Sequence, residues 1–432
     1  RDVDGKSYVT LVKSQNPWST CWAFATVAAL ESSMLMQGVA ADEVDLSERF
    51  LSYFHRVPVS GQTLGLFGAS SQVGEGTFSV DADVFGAGGN VAEAANFILS
   101  MNGLARESAA LYQNDEGVYE TWEDPLLDGI QASMYSREGT WSLDESVMRD
   151  SSNRAGNVER AEVIPGPYNS YLASTGELAL GDYDEGATSR AKQAIMDGGA
   201  IVANYCADVS TPDDETMSTE SFSMVNWCQY MDEPALSNHS VAVVGWDDEY
   251  SKDNFPTTPA GDGAWIVKNS WGCKDGGVGG TSGWGVGGTG YFYLSYYDKS
   301  PFSFNVLTAD ADAASDRAVQ QYDLVGSGEV FANPILSTSE MSVANVFTAD
   351  RDMSIESVSP YASVSGMNVD VEIYLLEDGA AYPDEGARAL EQSYLLPNVG
   401  NYALDLDEPV SMKAGQRYSV VQTLSTVMTD TE

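Results

Sequence analysis

The sequence predicts an α+β fold that gives way to an all-β sandwich. Three observations carry this expectation: helix-spaced apolar residues from Trp22 to Gln37, three strand-like runs between residues 238 and 297, and short alternating runs beyond residue 340. At 432 residues the chain is too long for one ordinary core. The expected division is residues 1–300, a linker at 301–320 and a β-sandwich at 321–432.

In the first helix Phe24, Val27, Ala28, Leu30, Met34 and Leu35 recur at spacings of three and four, with Gly38 as the stop and Ser19 and Thr20 as candidate caps. Val44–His55 reads as a second helix, capped by Ser47 and striped by Phe50, Leu51 and Phe54. Residues 56–90 read as loop, and Val91–Asn102 as a third helix with Ala94, Ala95, Ile98 and Leu99 on one side. Residues 113–180, acidic and without apolar periodicity, read as long loops with no assigned chemistry. Ala187–Asp197 follows as a helix and Ala200–Ala207 as a strand; polar Asp208–Ser221 separates them from aromatic Phe222–Tyr230. Strands at Asn238–Trp246, Gly263–Asn269 and Gly290–Tyr297, joined by loops, imply an antiparallel sheet. Ala, Asp and Ser from Ser300 to Gln320 suggest the linker. The sandwich strands are Met341–Thr348, Ser354–Tyr361, Val369–Leu376, Gly400–Leu406 and Arg417–Thr423.

Composition narrows the function. A hydrophobic content of 43% with 10% aromatic excludes wholesale disorder. No apolar run approaches a membrane span and the first residue is Arg1, so neither a transmembrane helix nor a signal peptide is expected, and the start reads as a processed end. With 21 basic against 64 acidic residues the net charge is −43, which repels nucleic acid and anionic membranes and makes a heavily solvated exterior. Cys21, Cys206, Cys228 and Cys273 have no C-x-x-C spacing and only two histidines accompany them, so neither metal nor cofactor is expected. Cys206 with Cys228 is the pair the sequence offers for a disulfide, because both follow aromatic-rich, strand-like runs.

A lone cysteine on an apolar helix is ordinarily a small core residue. Cys21, however, falls at a helix N-terminus, where unpaired N–H groups and the helix dipole favour a thiolate. A thiol nucleophile also needs a base, a group that orients the base, and donors for a developing oxyanion. His239, at the start of a strand, is the candidate base; Asn269 can hold its ring and Trp271 can cover that bond. Gln15 offers a side-chain amide that, with the Cys21 N–H, would form an oxyanion hole. His55, on a helix flank, reads as structural.

Together these segments resemble the papain family of cysteine peptidases. The resemblance lies in Val12-Lys-Ser-Gln15 through Cys21-Trp-Ala-Phe24, Val44-Asp-Leu-Ser-Glu48, Gly88-Gly89, Asn238-His-Ser-Val-Ala-Val-Val-Gly245, Lys268-Asn-Ser-Trp-Gly272 and Gly283-Trp-Gly285 with Gly290-Tyr291. It implies a helical lobe and a β lobe flanking a cleft, with Cys21 as nucleophile, His239 as general base and acid, Asn269 as orienter, Gln15 as oxyanion donor and Trp271 as shield. It also implies substrate contacts at Gly88, Gly89, Ser19 and Asn238, with the Gly89 backbone on the P2 residue. Trp18 and Ala87 stand where the family has a cysteine pair. Ser19 and Thr20 replace its usual Gly and Ser.

The C-terminal region resembles the lectin-like domain that follows papain-like domains in secreted or surface proteins of bacteria, through Val346-Phe-Thr-Ala-Asp350, Val371-Glu-Ile-Tyr374 and Tyr402-Ala-Leu-Asp-Leu406. The whole implies a monomeric, secreted or cell-surface bacterial cysteine endopeptidase acting on peptide or protein, with a glycan or cell-surface ligand for the β domain. A non-catalytic adhesin and a thiol acyl transferase are the other readings. The intact Cys-His-Asn-Gln set speaks against the first, and Asn rather than Asp beside the histidine against the second.

Overall fold

The computed structural model describes residues 2–3, 5–57, 70–71, 84–112, 141–172, 178–208, 218–274, 283–301, 303–310, 317, 319–321 and 340–426. The loops expected across residues 58–69, 72–83 and 113–140, the middle of the 208–221 stretch and most of the linker beyond residue 310 lie outside them.

Helix α1, Cys21–Met36, is the axis of the fold. Its residues are buried nearly all round, because Ala23, Ala25, Ala29, Thr26, Ser32 and Ser33 are small enough to let sheet and helices approach from every side. It stops at Gln37, and Gly38 takes the positive φ of 95° expected of a stop. Thr20 is the N-cap residue but does not cap with its side chain; its hydroxyl lies 2.6 Å from Tyr112 Oη instead. Helices α2, Glu48–Phe54, and α3, Val91–Ser100, are capped by Ser47 and Asn90, which accept from Phe50 N and Glu93 N. Helix α4 spans Glu185–Gly198.

Beside α1 runs one long sheet. Its six longer strands are β1 (Arg154–Pro165), β2 (Ile201–Tyr205), β3 (His239–Asp247), β4 (Ala264–Lys268), β5 (Tyr291–Ser295) and β6 (Ser303–Asp310), and a short strand, Cys228–Gln229, pairs parallel with β5. The spatial order of the six is β1-β6-β2-β3-β4-β5, all antiparallel. Two of these strands correct the sequence reading. β1 falls within the stretch read as loops: Val158 and Ala161 join the core around α1 while Ile164 joins the core on the other face, and with Glu159, Arg160 and Glu162 between them no single-face alternation shows in the sequence. β6 occupies the first half of the expected linker, where Phe304, Leu307 and Ala309 are buried.

The C-terminal region contains β7 (Glu340–Thr348), β8 (Met353–Val358), β9 (Met367–Leu376), β10 (Gly386–Leu396), β11 (Val399–Tyr402), β12 (Leu404–Met412) and β13 (Arg417–Thr426). A sheet of order β7-β13-β9-β10 and the β8-β12 pair share a core of Phe347, Val369, Val371, Ile373, Val410 and Tyr418. β10 escapes the sequence reading because it lies at a sheet edge with most of its side chains exposed. β11 leaves this domain and pairs with β1, matching Val399 to Val163 and Tyr402 to Arg160. Glu162, buried, accepts there from Tyr402 Oη at 3.1 Å and Asn398 Nδ2 at 2.9 Å. Gly400 is required at the crossing, because a Cβ at its φ of 153° would meet Ala161 O.

The expected Cys206–Cys228 disulfide is absent, and both thiols are free. Cys228 turns into a cluster with Tyr230, Phe255 and Ala264 and donates to Asn254 O at 3.2 Å, which leaves it nothing to offer Cys206.

Candidate active site

Two short segments knit the lobes together at the cleft. Ser14 bridges to Trp271, Gln15 N donates to Ser270 O at 2.8 Å, and Gly272 N donates to Lys13 O at 3.2 Å. Because the pairing runs through both segments, Gln15 and Trp271 arrive beside one another although 255 residues separate Gln15 from its other partner, Ser270.

Cys21 begins α1, and His239 begins β3, which packs against that helix. His239 Nε2–H donates to Asn269 Oδ1 at 2.8 Å. An amide oxygen only accepts, so this bond fixes the proton on Nε2 and leaves Nδ1 for Cys21. Asn269 is itself held, its Oδ1 also accepting from Ser270 N at 2.8 Å. The Trp271 ring stacks on the imidazole at 4.8 Å and is wedged edge-on by Trp284 at 5.1 Å, so the His239–Asn269 bond is sheltered from water. Burial alone would push the Cys21 thiol up, but the hydrogen bond and charge of His239, with the N–H groups of Ser240 and Trp22, hold it below the ordinary thiol value.

Gln15 is buried, with its Oε1 accepting from Ser270 Oγ at 2.7 Å and its Nε2 donating to Trp18 O at 2.9 Å. An amide nitrogen carries two hydrogens, so one N–H remains for a ligand. Tyr112, invisible to the sequence reading, pins this loop: its hydroxyl donates to Gln15 O at 2.7 Å and meets Thr20 Oγ1. No local pattern around Tyr112 signals that role. Ser240 and Ser270 stand inside the family-like segments without a role that the sequence alone assigns, and no pattern around Asn204 marks it.

The remaining predicted residues are placed as follows. Gly89 is exposed, and a Cβ there would lie 2.5 Å from the Trp22 ring, so the glycine lets its backbone lie over the residue that follows Cys21. Gly88 O accepts from Arg56 Nη2 at 2.5 Å. Asn238 clamps the end of β2 through Ala207, accepting from its N at 2.8 Å and donating to its O at 3.2 Å. Of Trp18, Ser19 and Thr20, only Ser19 is exposed. Trp18 packs against Phe85 at 5.5 Å and Trp141 at 5.2 Å, ring contacts near the place where the family carries its cysteine pair. His55 is buried, 3.3 Å from Glu93 and edge-on to the Trp22 ring at 5.4 Å.

Among the described residues no cluster of His, Cys, Asp and Glu could hold a metal ion, and no helix is long and apolar enough to cross a membrane.

Comparison with known proteins agrees with this geometry. Residues 1–52 match the model of the papain family cysteine proteases, and residues 319–431 that of the lectin like domain. No curated protein matches the chain by sequence. Among solved structures, the clostridial cysteine protease Cwp84 after propeptide cleavage superposes with a TM-score of 0.59 at 18% identity, over 98% of this chain and 83% of that one. The cysteine protease and lectin-like domains of Cwp84, a surface layer associated protein of Clostridium difficile, give the same score and identity over 98% and 74%. The chain thus shares, along nearly its whole length, the fold of a papain-like cysteine protease joined to a lectin-like domain, and residues 1–52 and 319–431 match the two family models.

Proposed function

We propose that the chain hydrolyses internal peptide bonds through Cys21, His239 and Asn269. The observation that carries this is the relay from Cys21 through His239 to Asn269, with a lowered thiol and a 2.8 Å His239–Asn269 bond. The thiolate attacks the scissile carbonyl carbon, and the oxyanion is met by the free Gln15 N–H and the Cys21 backbone N–H. The imidazolium gives its proton to the leaving amine as the C–N bond breaks. Water then attacks the thioester, delivering hydroxide to the acyl carbon and its proton back through His239 to the departing thiolate. Asn269 keeps the ring in plane through both steps.

The same reading places the protein outside the cell or on a bacterial surface, supported by the surface layer association of Cwp84. The lectin-like region would hold a glycan or another cell-surface ligand there, acting as a monomer with the peptidase. A purely adhesive role would not call for a lowered thiol and an oriented imidazole. Cys21→Ala should abolish both peptide hydrolysis and labelling by a thiol-directed epoxide; hydrolysis that persists in this variant would overturn the assignment.

A further inference from the structure

The face of the sheet that meets α1 changes character at the cleft. Val202 and Ala242, deep under the helix, are wholly apolar and buried. One step outward on the same face come Asn204 and Ser240, directly opposite each other on β2 and β3. Ser240 Oγ donates to Asn204 Oδ1 at 2.7 Å, and the Ser240 backbone N–H reaches the Cys21 sulfur. Ser240 is buried whereas Asn204 is only partly so. The carboxamide oxygen is therefore committed, while Asn204 Nδ2 has no hydrogen-bond partner among the described residues. A substrate side chain laid on this spot covers that N–H₂ and strips it of water. An aliphatic group returns nothing for the lost hydrogen bond; an oxygen acceptor does.

We propose that Asn204 and Ser240 form a subsite beside the scissile bond that selects a substrate side chain carrying an uncharged oxygen acceptor, an amide or a hydroxyl, over an aliphatic or aromatic one. Ser240 is the positioning residue, holding the carboxamide by its oxygen and leaving its N–H₂ free to donate, and Asn204 makes the contact. Carboxylate side chains are disfavoured by the field of a chain of net charge −43. This rests on the peptidase reading above and adds the substrate class to it.

The test is cleavage-site profiling by mass spectrometry on a mixed peptide library, using the full chain and its Asn204→Leu and Ser240→Ala variants. Each preparation is normalised by epoxide titration of Cys21, so partial misfolding does not distort the profile. The wild type should favour Asn, Gln, Ser or Thr at one position flanking the cleaved bond by about tenfold over Leu, Val or Phe. Asn204→Leu should move that one position about tenfold toward aliphatic residues and leave the other positions as they were. Ser240→Ala should weaken the preference severalfold without reversing it. An aliphatic, aromatic or acidic preference in the wild type, or an Asn204→Leu profile equal to the wild type, overturns the subsite while leaving the peptidase reading intact. Absence of both cleavage and Cys21 labelling in the wild type overturns the peptidase reading, and the subsite falls with it.

Discussion

Cys21 and Cys228 are thiols of one peptidase fold whose surroundings drive them in opposite directions. Both are largely removed from water. Around Cys228 burial dominates, and the thiol is pushed up to about 11, Tyr250 relieving it only in part. Around Cys21 burial acts the same way but is outweighed by His239 and by N–H groups of Ser240 and Trp22. Burial thus makes a thiol inert unless a cation and oriented donors stand beside it. What separates the lowered thiol from the raised one is its partners, and two of the three around Cys21, His239 and Ser240, lie more than 200 positions away in the chain.

Selective alkylation would put the largest number on that contrast. At pH 6 iodoacetamide should modify Cys21 at least about a hundredfold faster than Cys228, because Cys21 lies below the ordinary 9.0 and each pKa unit is tenfold in thiolate. The Cys21 rate should fall only as pH drops below the ordinary thiol range, since a lowered group keeps its thiolate there. Equal rates, read by peptide mapping, would erase the distinction. Asn269→Ala should have the next largest effect. It removes a hydrogen bond to a ring that becomes charged, worth roughly 1.5–3 kcal/mol, so kcat/KM should fall about ten- to hundredfold while Cys228 reactivity does not move. The smallest effect on the site should come from Gly400→Ala, where the new Cβ meets Ala161 O. It should cost about 1–3 kcal/mol in thermal stability and leave Cys21 alkylation in the surviving folded protein unchanged.

How much of this was legible follows from where each interaction lives in the chain. Cys21, His239, Asn269, Gln15 and Trp271 sit in segments whose residue types announce their chemistry, and the geometry brings them together. Tyr112 and Asn204 act through contacts that no neighbour in sequence reports. In the fold, α1, α2 and α3 were readable from periodicity and caps, with ends displaced by up to four residues: α2 begins at Glu48 rather than Val44 because Ser47 is the cap. β1 and β6 were not readable, since their alternation is broken by charged and small residues whose partners are other strands. The Cys206–Cys228 pairing failed for a related reason: similar flanking sequence does not tell which way a side chain turns.

The crossing of β11 onto β1 ties the order in which the chain can mature to its topology. Leu104–Ala105 pair with the start of the β1 edge opposite β6, but its Arg160–Val163 stretch is covered by Val399–Tyr402, residues translated more than 200 positions after β1 itself. Until they emerge, a nascent chain holding a complete Cys21–His239–Asn269 set still presents an unpaired strand edge, the kind of surface on which other strands add. The C-terminal β region therefore covers an edge of the N-terminal sheet, a role its own core does not reveal.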